Sequence, residues 1–92
     1  MSKYLTNLKF ANIIASVAED CGVIDTDVIS ISAGSHDVNV HLYNTPTSTA
    51  FLSEAIKQFG LTLTQVKNHG DHITTCFEAK THMGPVCVDV TL

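Results

Sequence analysis

The chain has no arginine. Its five basic residues are all lysines, and nine aspartates and glutamates outnumber them, so that the formal net charge of the 92 residues is −4. Arginine is the side chain best suited to form bidentate hydrogen bonds with phosphates and guanine edges. A net negative charge also repels a nucleic acid. The composition therefore argues against direct, sequence-specific nucleic-acid binding. It favours a basic protein surface as partner, including one that normally holds nucleic acid.

Long apolar runs and targeting signals are also missing. No stretch of about 18 apolar residues is present, which predicts no membrane span and no membrane partner. The first residues lack the compact apolar block and small-residue cleavage site of a signal peptide. Cys21, Cys76 and Cys87 are odd in number and form no C-x-x-C pair, which predicts free thiols in a reducing, cytoplasmic setting. A disulfide between Cys76 and Cys87 stays open if their strands are neighbours.

Sequence motifs for phosphate binding and catalysis are absent. The chain contains no G-x-x-x-x-G-K-[ST], no G-x-G-x-x-G and no G-x-S-x-G pattern, and its five glycines fall at predicted turns and helix ends. A chain of this length forms a single domain over residues 1–92, which leaves little room for a generous pocket. We therefore expect a binding protein with no enzymatic activity and no cofactor.

Two amphipathic helices are predicted from apolar residues at three- and four-residue spacing. The first covers residues 6–21, with Thr6 as its cap and a left-handed Gly22 at its end. Its apolar stripe contains Phe10, Ile13, Ile14, Val17, Ala18 and Cys21. The second begins at Thr45-Pro46 and ends at Phe59, before Gly60. Its stripe contains Phe51, Leu52, Ala55, Ile56 and Phe59.

Five strands complete an α-β-β-α-β-β-β order. Residues 28–32 pair with the strand after a two-residue Gly34-Ser35 loop, which places Ile31 opposite Val38 and Ile29 opposite Val40. Further strands cover residues 61–67, with Leu61 and Leu63 on one face, and residues 72–81 and 86–92. In the last strand Val86, Val88, Val90 and Leu92 point inward. Because all strand connections except one are hairpins, we expect an α+β fold: a mainly antiparallel five-stranded sheet with both helices on one face.

Two small groups of residues are candidates for chemistry. His69, Asp71 and His72 could contribute to a zinc or nickel site, and Cys76 could extend it; alternatively, they form a solvated turn around Gly70. Cys76 with a histidine and Glu78 could be drawn as a catalytic triad. The alternative is that such a trio arises by chance in a chain with five histidines.

Acidic residues fall into two predicted groups. The first lies around the end of the first helix and the following connector, and the second lies on the hairpins and the outer sheet face. Their members are Glu19, Asp20, Asp25 and Asp27 in the first group and Asp37, Asp71, Glu78 and Asp89 in the second. We expect these eight residues to contact a basic partner; the alternative is that they only keep the chain soluble.

Taken over its whole length, the chain resembles small phage anti-CRISPR proteins of the kind that act on type I-F surveillance complexes. The resemblance consists of the length, the acidity without arginine, the two compact helices, the exposed hairpins and the missing catalytic motifs. It implies binding to a multi-subunit Cas complex in the host cytoplasm and blocking of target-DNA access. The same features fit a toxin-neutralising or adaptor protein. A structural subunit would need a long open sheet edge, and a small metal-binding enzyme would use His69, Asp71 and His72.

Overall fold

A computed structural model describes residues 2–91, and it consists of two helices and one five-stranded sheet. The α+β class and the predicted order of helices and strands are confirmed, with one short 3-10 turn added after the first helix. The elements are α1 Lys3–Asp20, the 3-10 turn Asp25–Asp27, β1 Val28–Ala33, β2 Val38–Tyr43, α2 Pro46–Phe59, β3 Thr62–Asn68, β4 Ile73–Thr81 and β5 Gly84–Thr91.

The sheet has the strand order β1-β2-β5-β4-β3. Its central pair, β2 and β5, is parallel, and the other three pairs are antiparallel. The expected mainly antiparallel sheet is therefore corrected to a mixed one. The reason is the path of the chain: α2 carries it from β2 to the far edge, and β3, β4 and β5 then fold back until β5 meets β2 running in the same direction.

The core lies between the two helices and one face of the sheet. It is built from alternating residues of the two central strands and from the inward stripes of α1 and α2. Its fully buried large side chains are Phe10, Ile14, Val38, Val40, Leu42, Phe51, Val86 and Val88. Both helices therefore cover the same face, as predicted, and the opposite face is left uncovered within the described residues.

Helix α1 begins earlier than the sequence predicted. Ser2, not Thr6, is the cap: its side-chain oxygen accepts a hydrogen bond from the backbone N–H of Leu5 at 3.4 Å. Thr6 lies inside the helix, where its hydroxyl donates to the Ser2 carbonyl oxygen. The end is as predicted, because Gly22 follows the helix with a φ of 88°. Ile13, expected on the buried stripe, is exposed instead.

Helix α2 agrees with its prediction at both ends. The Thr45 hydroxyl oxygen accepts a hydrogen bond from the Ser48 backbone N–H at 3.1 Å, and Gly60 ends the helix with a φ of 72°. Phe51 and Ala55 are completely buried, and Phe59 packs edge-on against Phe10 with ring centroids 5.5 Å apart. Ile56 is the exception: it was expected on the buried stripe but lies exposed.

The β1–β2 hairpin has a different register from the predicted one. Ile31 faces Val40 and Ala33 faces Val38, and the backbone N–H of Gly34 donates to the Asp37 carbonyl oxygen at 2.9 Å. The turn is thus a longer loop, and Gly34 does not adopt the positive φ that the two-residue loop required. A bulge between Val28 and Ser30 turns Ile29 out to solvent, so its predicted burial is wrong.

The last three strands lie within two residues of their predicted positions, but their burial differs. Val86, Val88 and Val90 point inward as expected, and Leu92 falls outside the described residues. Leu61 is buried just before β3, whereas Leu63 is exposed, as is every residue of β3. A bulge between Leu63 and Gln65 interrupts the pairing of β3 with β4.

Candidate binding surface

The uncovered side of the sheet presents a polar surface, which we call the open face. Along each strand its side chains alternate with the inward apolar residues. The pairing of the strands then decides which of these side chains are neighbours on the open face. Its central members are Asn39, His41 and Tyr43 of β2, Cys87, Asp89 and Thr91 of β5, and Thr74, Cys76 and Glu78 of β4.

Hydrogen bonds hold one end of the open face in place. The His41 Nε2 atom lies 2.7 Å from the Thr91 Oγ1 atom, and the hydroxyl of Thr91 lies 3.0 Å from that of Thr74. These three side chains belong to β2, β5 and β4, so the bonds tie the three central strands together on the polar side. A surface fixed in this way loses little side-chain entropy when a partner docks on it.

The two cysteines of the open face lie on neighbouring strands but are offset by two residues. Cys76 faces Asp89, Cys87 faces Glu78, and both are free thiols. Burial, together with a hydrogen bond to Asp89, raises the pKa of Cys87 to about 12 and also raises the pKa of Cys76. Both sulfurs are therefore protonated at neutral pH, a state that disfavours a nucleophile or a metal ligand. The protonated Cys76 thiol therefore does not support a catalytic triad of Cys76, a histidine and Glu78.

A groove of about 420 Å³ lies at the other end of the open face, and we call it the acidic groove. It is lined by Asp37, Thr62, Glu78, Lys80, Pro85 and Cys87, among others. Asp37 stands just before β2 and Glu78 on β4, with β5 between them. They are two strand spacings apart and offset by two residues along the strands, so their backbones are about 12 Å apart. Lys80 is the single cationic side chain of this lining.

Asp37 and Asp89 are each oriented by a neighbour. The Asn39 side-chain amide donates to Asp37 Oδ1 at 3.0 Å, and the Cys87 thiol donates to Asp89 Oδ1 at 3.4 Å. Glu78 is exposed, Asp37 and Asp89 are half-buried, and all three lie on one side of the sheet. The structure thus brings together three of the eight acids that the sequence proposed for partner binding.

The four acids near the end of α1 differ in their exposure. Glu19, Asp20 and Asp25 are exposed, whereas Asp27 is only 7% exposed. Its Oδ2 atom accepts hydrogen bonds from the Ile24 backbone N–H at 3.1 Å and from the Thr47 hydroxyl at 2.6 Å. These bonds, led by that from Thr47, lower the pKa of Asp27. The prediction that Asp27 is exposed is therefore wrong: its hydrogen bonds connect the segment after α1 to the start of α2.

The histidine-rich turn between β3 and β4 is exposed and self-contained. The rings of His69 and His72 stack with centroids 4.5 Å apart, and His72 Nδ1 lies 2.7 Å from Asp71 Oδ1. That hydrogen bond is the main cause of a lowered Asp71 pKa. Stacked rings direct their nitrogen lone pairs along parallel planes and not toward one point. Among residues 2–91, no group of three histidine, cysteine or acidic side chains is arranged to hold a metal ion.

Several residues of the acidic groove were not foreseen. No sequence motif marks Thr62, Lys80 or Pro85 as a binding residue. They lie in one groove only because β3, β4 and β5 are adjacent in the sheet. The alternation of apolar residues in β5 predicts that Cys87 lies on the outer face. It does not predict that Cys87 lies beside Glu78, because that depends on the pairing of β5 with β4. Knowledge of the strand order would have been sufficient to predict the groove.

Comparisons of the chain with protein-family models, with curated proteins and with solved structures find no match. Within the part of the chain that the structure describes, no helix is long and apolar enough to cross a membrane. The function has to be argued from the geometry and the charges of the open face.

Proposed function

We propose that the protein is a non-enzymatic binding protein whose open face docks on a basic protein surface. The observation that carries this proposal is the acidic groove: Asp37 and Glu78 stand on its two sides, with Asp89 nearby on the same face. The groove contains two acids and one lysine, so its net charge is negative. The chain also has no arginine with which to bind phosphate. Lysine and arginine side chains of a partner fit such a groove in shape and charge.

The partner that we propose is a CRISPR-Cas surveillance complex, with the protein acting in the host cytoplasm as a phage-type inhibitor. A nucleic-acid channel is lined by basic side chains spaced to meet phosphates, and an acidic face can occupy it in place of DNA. The side-chain hydrogen bonds between the central strands of the sheet supply a rigid base for such mimicry. In this proposal the protein blocks target-DNA access and does not itself bind nucleic acid.

The test is binding of the purified protein to a type I-F surveillance complex, followed by competition with target DNA. The informative variant reverses the groove acids, Asp37→Lys with Glu78→Lys. The matched control, Asp20→Lys with Asp25→Lys, makes the same change in formal charge at exposed positions away from the groove. We expect the groove variant to associate about tenfold or more slowly at low salt, with a weaker salt dependence, and the control to change much less.

The outcomes separate the levels of the proposal. Equal slowing by both variants would mean that only overall charge matters and would contradict the groove as the docking site. Failure of the unaltered protein to bind the complex would remove this partner. Tight binding of free DNA by the protein alone would contradict the charge argument as a whole.

A further inference from the structure

Four apolar side chains of β3, its neighbour β4 and α2 lie exposed on the helix side of the sheet. They are Leu63 and Val66 of β3, Ile73 of β4 and Ile56 of α2, which are 55%, 57%, 37% and 40% exposed. Leu63 and Val66 share this side because they face Phe77 and Thr75 of β4. We call these four residues the β3 strip. Its origin is the position of α2, which packs over β4 and leaves β3 bare.

The two edges of the sheet differ in what they can accept. Helix α1 contacts edge strand β1 and, to a smaller extent, β2, so pairing of β1 with its own copy would bring the two α1 axes within one to two strand spacings, or about 5–10 Å, of each other. Packed helices need 8–10 Å between axes, so this edge leaves little room on the helix side. At the β3 edge the nearest helix lies one strand further in. Two copies of α2 would then be about three strand spacings, or 14 Å, apart, which leaves room for side chains between them.

Charge also selects this edge for contact between copies. Residues 55–70 contain no acid and two lysines, Lys57 and Lys67, so all nine acids of the chain lie elsewhere. A contact through this segment keeps the acids of two molecules of net charge −4 away from each other. The acidic groove lies on the opposite side of the sheet from the β3 strip and is left free by such a contact.

We propose that the β3 strip is the interface of a homodimer, in which β3 pairs antiparallel with β3 of a second copy. A two-fold axis perpendicular to the sheet makes the contact the same on both copies and joins the sheets into one of ten strands. Both α2 helices then lie on one side, and Leu63, Val66 and Ile56 of the two copies fill the space between them. This pairing also satisfies the edge backbone groups that β3 otherwise presents to solvent.

The bulge in β3 fixes the register of this pairing. Between Leu63 and Gln65 the alternation is interrupted, so the regular part of the strand runs from Gln65 to Asn68. An axis at Lys67 would set two lysines directly opposite each other, which is destabilising. An axis at Val66 places the two valines opposite each other on the helix side, and Lys67 opposite Gln65 of the second copy.

The first test is the mass of the protein in solution, measured by sedimentation equilibrium. We expect twice the chain mass of 9.9 kDa for the unaltered protein and the single chain mass for Val66→Lys. Ser32→Lys adds the same charge at an exposed position on the other edge strand, and we expect it to stay dimeric. Both altered positions are exposed in the monomer, so their circular dichroism spectra should match that of the unaltered protein. A monomeric unaltered protein, or a dimeric Val66→Lys, would overturn the proposal.

The second test fixes the register by oxidation. Val66→Cys places two thiols opposite each other on the axis, and we expect a disulfide-linked dimer on a non-reducing gel. Lys67→Cys is the matched variant, because its two thiols would be offset by two residues; we expect little linkage. The unaltered protein, with its native cysteines, gives the background. Linkage through Lys67→Cys without linkage through Val66→Cys would overturn the register.

Discussion

The two faces of the sheet are made by the same strands and yet differ in almost every physical respect. On the helix side, the inward residues of β2 and β5 are apolar and fully buried. On the open face, their immediate neighbours are polar, partly exposed and joined by hydrogen bonds between side chains. Successive side chains of a strand point to opposite faces of the sheet. The buried apolar residues and the polar residues between them therefore lie on different faces.

The difference separates stability from recognition. Burial of apolar area supplies most of the folding free energy, and here the main core cluster lies on the helix side. The open face carries no comparable burial, so its acids can be changed at small cost to the fold. Substitutions of the buried helix-side residues should therefore affect mainly stability, and those of the groove acids should affect mainly binding.

The largest expected effect comes from the helix side. Phe51→Ala removes a completely buried ring from α2, and we expect it to lower the free energy of unfolding by roughly 3–5 kcal/mol. The loss is a large share of what a domain of this size possesses. Urea unfolding followed by circular dichroism measures it, with exposed Lys57→Ala as the control from the same helix. Equal stability of the two variants would contradict the placement of the core.

A smaller effect is expected from the hydrogen-bonded end of the open face. Thr91→Val keeps the shape of the side chain but removes the hydroxyl that contacts both His41 and Thr74. We expect a loss of about 1–3 kcal/mol, because Thr74 is buried and loses this partner. Thr26→Val removes a hydroxyl at an exposed position and serves as the control in the same urea titration. A loss above that of Phe51→Ala would contradict the division between the two faces.

The smallest difference concerns Asp27 and appears as a pH dependence. Its hydrogen bonds to Thr47 and Ile24 lower its pKa in the folded state relative to the unfolded chain. The stabilisation is therefore fully present above the ordinary aspartate pKa of about 4 and is lost as the pH falls through the lower folded value. We expect the unaltered protein to lose stability over this acid range more steeply than Asp27→Asn. Parallel curves from urea unfolding at stepped pH would contradict the structural role of this residue.

Local signals in the sequence were sufficient for the two ends of α2 but not for the start of α1 or for the sheet. The cap at Thr45, the proline after it and Gly60 determined both ends of α2, since each acts through its immediate neighbours. The β1–β2 register failed because Gly34-Ser35 also fits inside a longer loop, and the bulge at Ile29 leaves no mark in the composition. Bulges and registers depend on the partner strand, which a single strand's pattern does not contain.

The strand order could not be read from the connections, although a weaker signal was present. Strands β2 and β5 each carry three alternating apolar residues, and they occupy the centre, where one face is completely covered. Strand β3 carries only Leu63 and Val66, and it forms an edge. Ranking the strands by apolar alternation would have placed β2 and β5 together, and with them the two sides of the acidic groove.

The most direct test of the binding surface needs no identified partner. Titration of isotope-labelled protein with a short polyarginine peptide, followed by amide NMR shifts, reports which surface receives basic side chains. We predict shifts concentrated at Asp37, Asn39, Glu78 and Cys87 and reduced by Asp37→Lys with Glu78→Lys. Shifts confined to the exposed acids at the end of α1, with the groove residues unmoved, would contradict the account.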